Sequence, residues 1–172
     1  MRVKILYAKP KAKFVPISWL IKLAEFGRLS DRDGSHVAIE FCGKTTSAVF
    51  DSIAPRSRIT AKTRWDEHYQ TLKAWEFDVS LRNTPSSIDW ILQNTDKPYS
   101  RLQCVIIGIG ELFGGWVQKL AKKQNPNGSD YLICVEAGAR FASEFLGVKF
   151  SSGFDVIGLE EFVDTLDKYS ES

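Results

Sequence analysis

The chain is poor in the residues that build disulfide scaffolds and metal centres. Its three cysteines, Cys42, Cys104 and Cys134, are an odd set with no pair spaced as a metal knuckle. That excludes a disulfide framework and a structural zinc site, and it predicts free thiols in a reducing compartment. The two histidines, His36 and His68, stand far apart with no H-x-E or H-E-x-x-H spacing, so no metal site is expected. Charge of one sign is also lacking. The 23 Lys plus Arg face 21 Asp plus Glu, for a net charge of +2, and such a total predicts no nucleic-acid-binding surface. Long hydrophobic runs are missing as well. The most apolar stretch, Leu102 to Val117, holds Gln103 and Glu111. It falls short of the ~18 residues of a membrane span and reads as a buried helix. Lys4, Lys9 and Lys11 break up the first residues, which leaves no apolar core for a secretory signal and predicts a cytoplasmic location in the producing cell. The glycines at 108, 110, 114 and 115 come with no G-K-[ST] and make no phosphate loop. No internal repeat and no low-complexity segment is visible.

What the chain does contain is a balanced globular composition. With 172 residues, 44% of them hydrophobic and 26% charged, it suits one soluble domain spanning residues 1–172. The even total hides a gradient, since residues 1–86 sum to +6 and residues 87–172 to −4. Attraction between oppositely charged ends of the fold is the expected meaning.

Patterning predicts an α+β domain. Val3 to Tyr7 alternate as a strand, and Lys9 to Lys13 with Pro10 read as a basic loop. Pro16 and the spacing of Ile17, Leu20, Ile21, Leu23, Ala24 and Phe26 before Gly27 predict a helix. From Ser35 to Phe41 the period becomes two, which predicts a half-buried strand with His36 at its mouth. Thr45 to Ile53 reads as its antiparallel hairpin partner, and Leu72 to Val79 as a third strand. Between those two, Ala54 to Arg58 read as a loop and Trp65 to Tyr69 as a short helical turn. Thr84 and Pro85 open a helix that Asp96 to Tyr99 breaks. A glycine-punctuated helix from Arg101 is followed by the Asn125-to-Gly128 loop. Ser129 or Asp130 then caps a helix through Cys134, Phe141 and Phe145 that closes at Gly147. Leu159 to Tyr169 form a last amphipathic helix.

Cys134 is the most informative residue. At a helix start, backbone N–H groups and the macrodipole lower a thiol pKa and favour the nucleophilic thiolate. Such a thiol needs a base, and His36, at a strand end beside a loop, is better placed than His68. The competing reading is a packed core cysteine and a structural histidine. Cys104, in an apolar run, reads as packing, and Cys42 lies in a turn with no helix terminus to activate it. His68, among Asp66, Glu67 and Tyr69, reads as a surface histidine.

Four short elements carry a resemblance. Gly34-Ser35-His36-Val37-Ala38-Ile39 is similar to the Ser-His-Val-Gly-Ile strand of the circularly permuted, NlpC-like (YiiX-type) branch of the papain-like cysteine hydrolases. Val49-Phe50-Asp51-Ser52-Ile53-Ala54 resembles that group's Val-Glu-Ala strand, with Arg58 and Ile59 beyond it. Lys97-Pro98-Tyr99 resembles its Gly-x-Pro-Tyr-Asp turn, and Tyr131-Leu132-Ile133-Cys134-Val135-Glu136 its Tyr-x-Cys-Ser-Glu nucleophile helix. The elements occur in the permuted order and span about two thirds of the chain.

The resemblance implies an antiparallel sheet packed on helices that include the nucleophile helix. Cys134 would be the nucleophile, His36 the base, and Asp51 the group that orients the imidazole, with Glu40 as its rival. It also implies an oxyanion contact from the Cys134 N–H, and Tyr131 bordering the substrate site. Three departures stand out: Val135 for serine, Asp51 for a longer glutamate, and Ser100 where aspartate is common. The implied activity is a cofactor-free, metal-free thiol hydrolase, cleaving an amide, peptide or acyl ester through an acyl-enzyme. Relatives of this fold act on peptidoglycan peptides, lipid-linked acyl groups or other amides. Without a signal peptide, a cell-wall substrate would be reached by lysis or injection, as by a phage-encoded protein in a virion or host cytoplasm. Val105–Ile109 and Phe113–Val117 suit either an acyl-binding wall or helical core. The alternative is a catalytically inactive papain-like interaction module that meets a partner through the basic N-terminal segment or through Trp65 and Trp75.

Overall fold

Alternating apolar residues organise the centre of the chain into strands, and the following helices bury what those strands leave open. A computed structural model describes residues 1–11, 34–100, 132–154 and 157–171. Five strands make one antiparallel sheet: β1 (Arg2–Pro10), β2 (His36–Cys42), β3 (Ser47–Ser52), β4 (Ser57–Ala61) and β5 (Tyr69–Asp78), in the order β4-β3-β2-β1-β5. Four helices accompany it among the described residues: α1 (Lys62–His68), α2 (Thr84–Asn94), α3 (Cys134–Leu146) and α4 (Leu159–Ser170). The architecture is α+β. The helices predicted from Pro16 and from Arg101, the Leu102–Val117 stretch with Cys104, the Asn125 loop and Tyr131 lie outside the described residues, and the cap expected at Ser129 or Asp130 is corrected, since α3 starts at Cys134 with Ile133 at its N-cap. Among the described residues no helix is long and apolar enough to cross a membrane.

The sheet is covered on both faces. On one, Ile5, Tyr7, Val37 and Trp75 pack with Val135, Ala139 and Ala142 of α3 and with Phe162 and Leu166 of α4. Beside them Val3, Ile39 and Phe50 meet Ile91, Phe141 and Phe145. On the other, Leu6, Ala8, Ala38 and Val49 lie under Trp65 and Tyr69. Each large apolar side chain so buried contributes about 1.5–3 kcal/mol.

Several expectations need correction. β2 is buried on both faces rather than half-buried, because Trp65 and Tyr69 cover the side opposite α3. β1 runs through Lys9 to Pro10, where a basic loop was expected, because Lys9 and Pro10 find partners in Gln70 and Tyr69. β5 begins at Tyr69 and is preceded by β4, an additional strand in the expected loop. The cap of α2 sits at Asn83 rather than Thr84, whose hydroxyl donates to the Ser80 carbonyl at 3.0 Å. Trp65 and Trp75 are 0% and 3% exposed, so they are core residues and not partner contacts. Among the described residues the charge gradient is met both within the basic half and across the two halves, where Arg56 also pairs with Asp96. Arg2 and Lys4 pair with Glu76, while the acidic tail meets the basic half where Asp167 pairs with Lys73.

Candidate active site

The hairpin of β2 and β3 brings the first two predicted residues together. Ala38 faces Asp51 across the ladder, so Asp51 stands diagonal to His36 on the same face, within side-chain reach. The short side chain of Ala38 leaves that diagonal open. His36 Nε2 is hydrogen-bonded to Asp51 Oδ1. The other carboxylate oxygen, Oδ2, accepts from Arg58 Nη2 at 3.5 Å. Glu40, two residues beyond Ala38 on β2, lies opposite Val49 and Lys4. The structure therefore sets Asp51, not Glu40, against the imidazole.

The approach to His36 is anchored locally. The Tyr7 hydroxyl accepts from the Gly34 N–H and donates to the Gly34 carbonyl, both at 3.0 Å. A Cβ on Gly34 would stand 2.3 Å from the Tyr7 ring, so only glycine admits this contact. The Ser35 N–H then donates to the Ala8 carbonyl at 3.0 Å, starting the β1–β2 ladder.

Cys134 arrives from the far end of the chain. It is the first residue of α3, and Gly147 closes that helix with φ at 76°, as the sequence predicts. No side chain caps the first turn at Ile133, so the N-terminal N–H groups have no side-chain acceptor there. The segment entering α3 is fixed by the Ser52 hydroxyl, which donates to the Leu132 carbonyl at 2.7 Å, and by the Leu132 N–H, which donates to the Pro98 carbonyl at 3.1 Å. The Pro98 turn is itself bridged to Arg56. All four sequence elements named above thus converge on one end of the sheet.

At that end the Cys134 thiol is hydrogen-bonded to His36 and receives the Val37 backbone N–H. Cys134, His36 and Asp51 are 3%, 6% and 0% exposed. Burial alone pushes the imidazole down, but the charges of Asp51 and Cys134 and their hydrogen bonds outweigh it and raise His36 to about 10. Burial pushes the Cys134 thiol up. The His36 charge and hydrogen bond and the Val37 N–H overcome this and hold it below its ordinary value, with the Asp51 charge opposing. Both shifts run in the direction that favours a thiolate–imidazolium pair.

The remaining candidates separate cleanly. Cys42 is a half-buried free thiol at the end of β2, and His68 is exposed at the end of α1. Tyr131 is not among the described residues. Two groups at the site escape a reading of the sequence. Tyr69 stacks on His36, and the Val37 N–H, an ordinary backbone group, points at sulfur. Compared with protein-family models, curated proteins and solved structures, the chain matches none.

Proposed function

We propose that the chain is a thiol hydrolase with a permuted papain-like core, cleaving an amide or acyl ester through a covalent acyl-enzyme. One observation carries this reading. A single buried histidine is hydrogen-bonded through Nε2 to a buried carboxylate and also meets a thiol at the start of a helix. The Cys134 thiolate adds to the acyl carbon, and the Cys134 N–H, with the uncapped helix start, faces the developing oxyanion. His36 then passes its proton to the departing nitrogen or oxygen as the bond to carbon breaks, leaving a thioester. Water, deprotonated by His36, adds to that thioester, the carbon–sulfur bond breaks to release the acid, and the expelled thiolate faces the imidazolium that kept the proton from water. Asp51 keeps the imidazole in one orientation and stabilises its charged form. These steps require no cofactor. A cell-wall peptide or acylated substrate, a phage origin and a cytoplasmic or virion location belong to the same proposal and rest on the motif resemblance alone.

The burial of the thiol favours a second reading, an inactive module that keeps the core for a protein partner. Alkylation by iodoacetamide at pH 7 separates the two. The hydrolase reading expects Cys134 to react selectively, and His36→Ala to slow it roughly 30- to 100-fold, because a thiol of ordinary pKa is only a few per cent ionised there. Sluggish labelling of all three cysteines alike, or no effect of His36→Ala, rejects it.

A further inference from the structure

One aromatic residue reaches the site through an irregularity in the sheet. In β5, Phe77, Trp75 and Lys73 pair with Val3, Ile5 and Tyr7, and so face the side covered by α3 and α4. Unbroken alternation would send Tyr69 to that same side. Between Tyr7 and Ala8, however, the register shifts by one residue. Leu72 drops out of the pairing, and Thr71 and Tyr69 pair with Ala8 and Pro10. Such a bulge reverses the face of every residue beyond it. Tyr69 is thereby turned to the face of Ala8 and Ala38, whose small side chains leave its ring a path to His36. The two rings stack with centroids 4.8 Å apart and planes at 21°. Trp65 covers the other side of Tyr69 at 4.9 Å and 18°.

We propose that Tyr69 is a positioning residue of the candidate site: its ring face, backed by Trp65, fixes the imidazole plane of His36 and stabilises the imidazolium form. The inference rests on the acid–base role proposed above for His36. Stacking occupies only the face of the imidazole, so its hydrogen bonds to Asp51 and Cys134 are left in place. The negative face of an aromatic ring attracts a cation within about 6 Å of its centroid, and more strongly where water is excluded. Tyr69 is 6% exposed, so the contact is dry. The charged groups that act on His36 are Asp51 from β3 and Cys134 from α3, with Arg58 of β4 reaching Asp51. Burial and the charges of Asp51 and Cys134, against that of Arg58, hold the Tyr69 hydroxyl well above its ordinary pKa, so it brings no negative charge of its own.

The chain has two histidines, which makes an NMR titration of the imidazole resonances of the full-length protein direct. Tyr69→Phe keeps the ring face and is expected to leave the His36 midpoint in place. Pentafluorophenylalanine at the same position preserves the packing but reverses the ring's charge distribution. It is expected to lower the His36 midpoint by about one unit, a tenfold change in the imidazolium-to-imidazole ratio. A midpoint equal to that of Tyr69→Phe overturns the proposal, leaving Tyr69 as packing. Cys134→Ala serves as the separate arm, since loss of the thiolate must lower the midpoint by itself. If that variant leaves the midpoint unmoved, the thiolate–imidazolium reading fails, whatever the fluorinated ring does.

Discussion

At His36 a carboxylate, a thiol and a stacked aromatic ring meet the imidazole, and each contact has a different origin in the chain. Asp51 comes from the neighbouring strand, Cys134 from a helix almost a hundred residues later, and Tyr69 from the far edge of the sheet. Asp51 is one methylene shorter than the glutamate of the resembling family, yet it meets the imidazole because the diagonal across Ala38 is short. Asp51→Asn removes the charge while keeping the size. The His36 midpoint should then fall by about 1–3 units, and alkylation of Cys134 at pH 7 should slow accordingly. Glu40→Gln is the matched control. Glu40 lies four residues along β2, about 13 Å of strand, and its neutralisation should leave both readouts unchanged. The reverse result would make Glu40 the orienting group. Cys134 and His36 were legible as candidates because each sits near the start of a periodic element, a helix and a strand, whereas Asp51 came only from the resemblance, with Glu40 as its rival, since pairing across the ladder is not written in either strand alone. Tyr69 was not legible, because its polar surroundings read as a short helical turn ahead of the Leu72–Val79 strand, and the bulge at Leu72 that sets its face has no local sequence signature.

Among the elements, α3 is the one whose position decides the chemistry, and Gly138 decides how closely it approaches the sheet. A Cβ there would lie 2.7 Å from Val37 Cγ1 and 2.9 Å from Phe162 Cζ. Val37 also supplies the N–H that meets the Cys134 sulfur, so the same strand residue sets both the helix spacing and the thiolate contact. Gly138→Ala should cost about 1–3 kcal/mol by overpacking, measured by urea unfolding, and should slow Cys134 alkylation. Adding Val37→Ala removes one of the two obstructing groups and should restore part of the stability; strictly additive losses would show that the helix is not held against β2 at this point. Most of the elements could be read from periodicity and from Pro and Gly signals. β4 could not. It is an edge strand whose Arg58, Ile59 and Ala61 are exposed, so it lacks the alternation that marks a strand with a buried face. The start of α3 was read about a turn too early, at Ser129 or Asp130, since no side chain caps it at Ile133, but the reading still set Cys134 near the helix start.

For the molecule as a whole, the buried ion pair ties stability to pH in a way that ordinary surface charges do not. His36 rises from 6.5 in an unfolded chain to about 10 in the fold, so alone it stabilises fully below pH 6.5 and loses that contribution as pH climbs toward 10. Cys134 falls below its ordinary 9.0, so alone it stabilises fully above pH 9 and loses that contribution as pH drops through its folded value. Where the thiol is ionised in the fold and pH lies between 6.5 and 9, the folded pair holds one proton, on the imidazole, and the unfolded pair also holds one, on the thiol. The proton counts match and the two slopes cancel. Below that window the unfolded chain takes up a second proton, and above it the unfolded chain loses its last one before the fold does. Stability should therefore decline on both sides of a plateau. In Cys134→Ala only the histidine slope remains, and the unfolding midpoint should fall steadily as pH rises from 6.5. The difference between the two denaturation profiles isolates the pair from the remaining titratable groups. Parallel profiles would mean that the thiol stays protonated in the folded protein, which would remove the nucleophile on which the proposed hydrolysis depends.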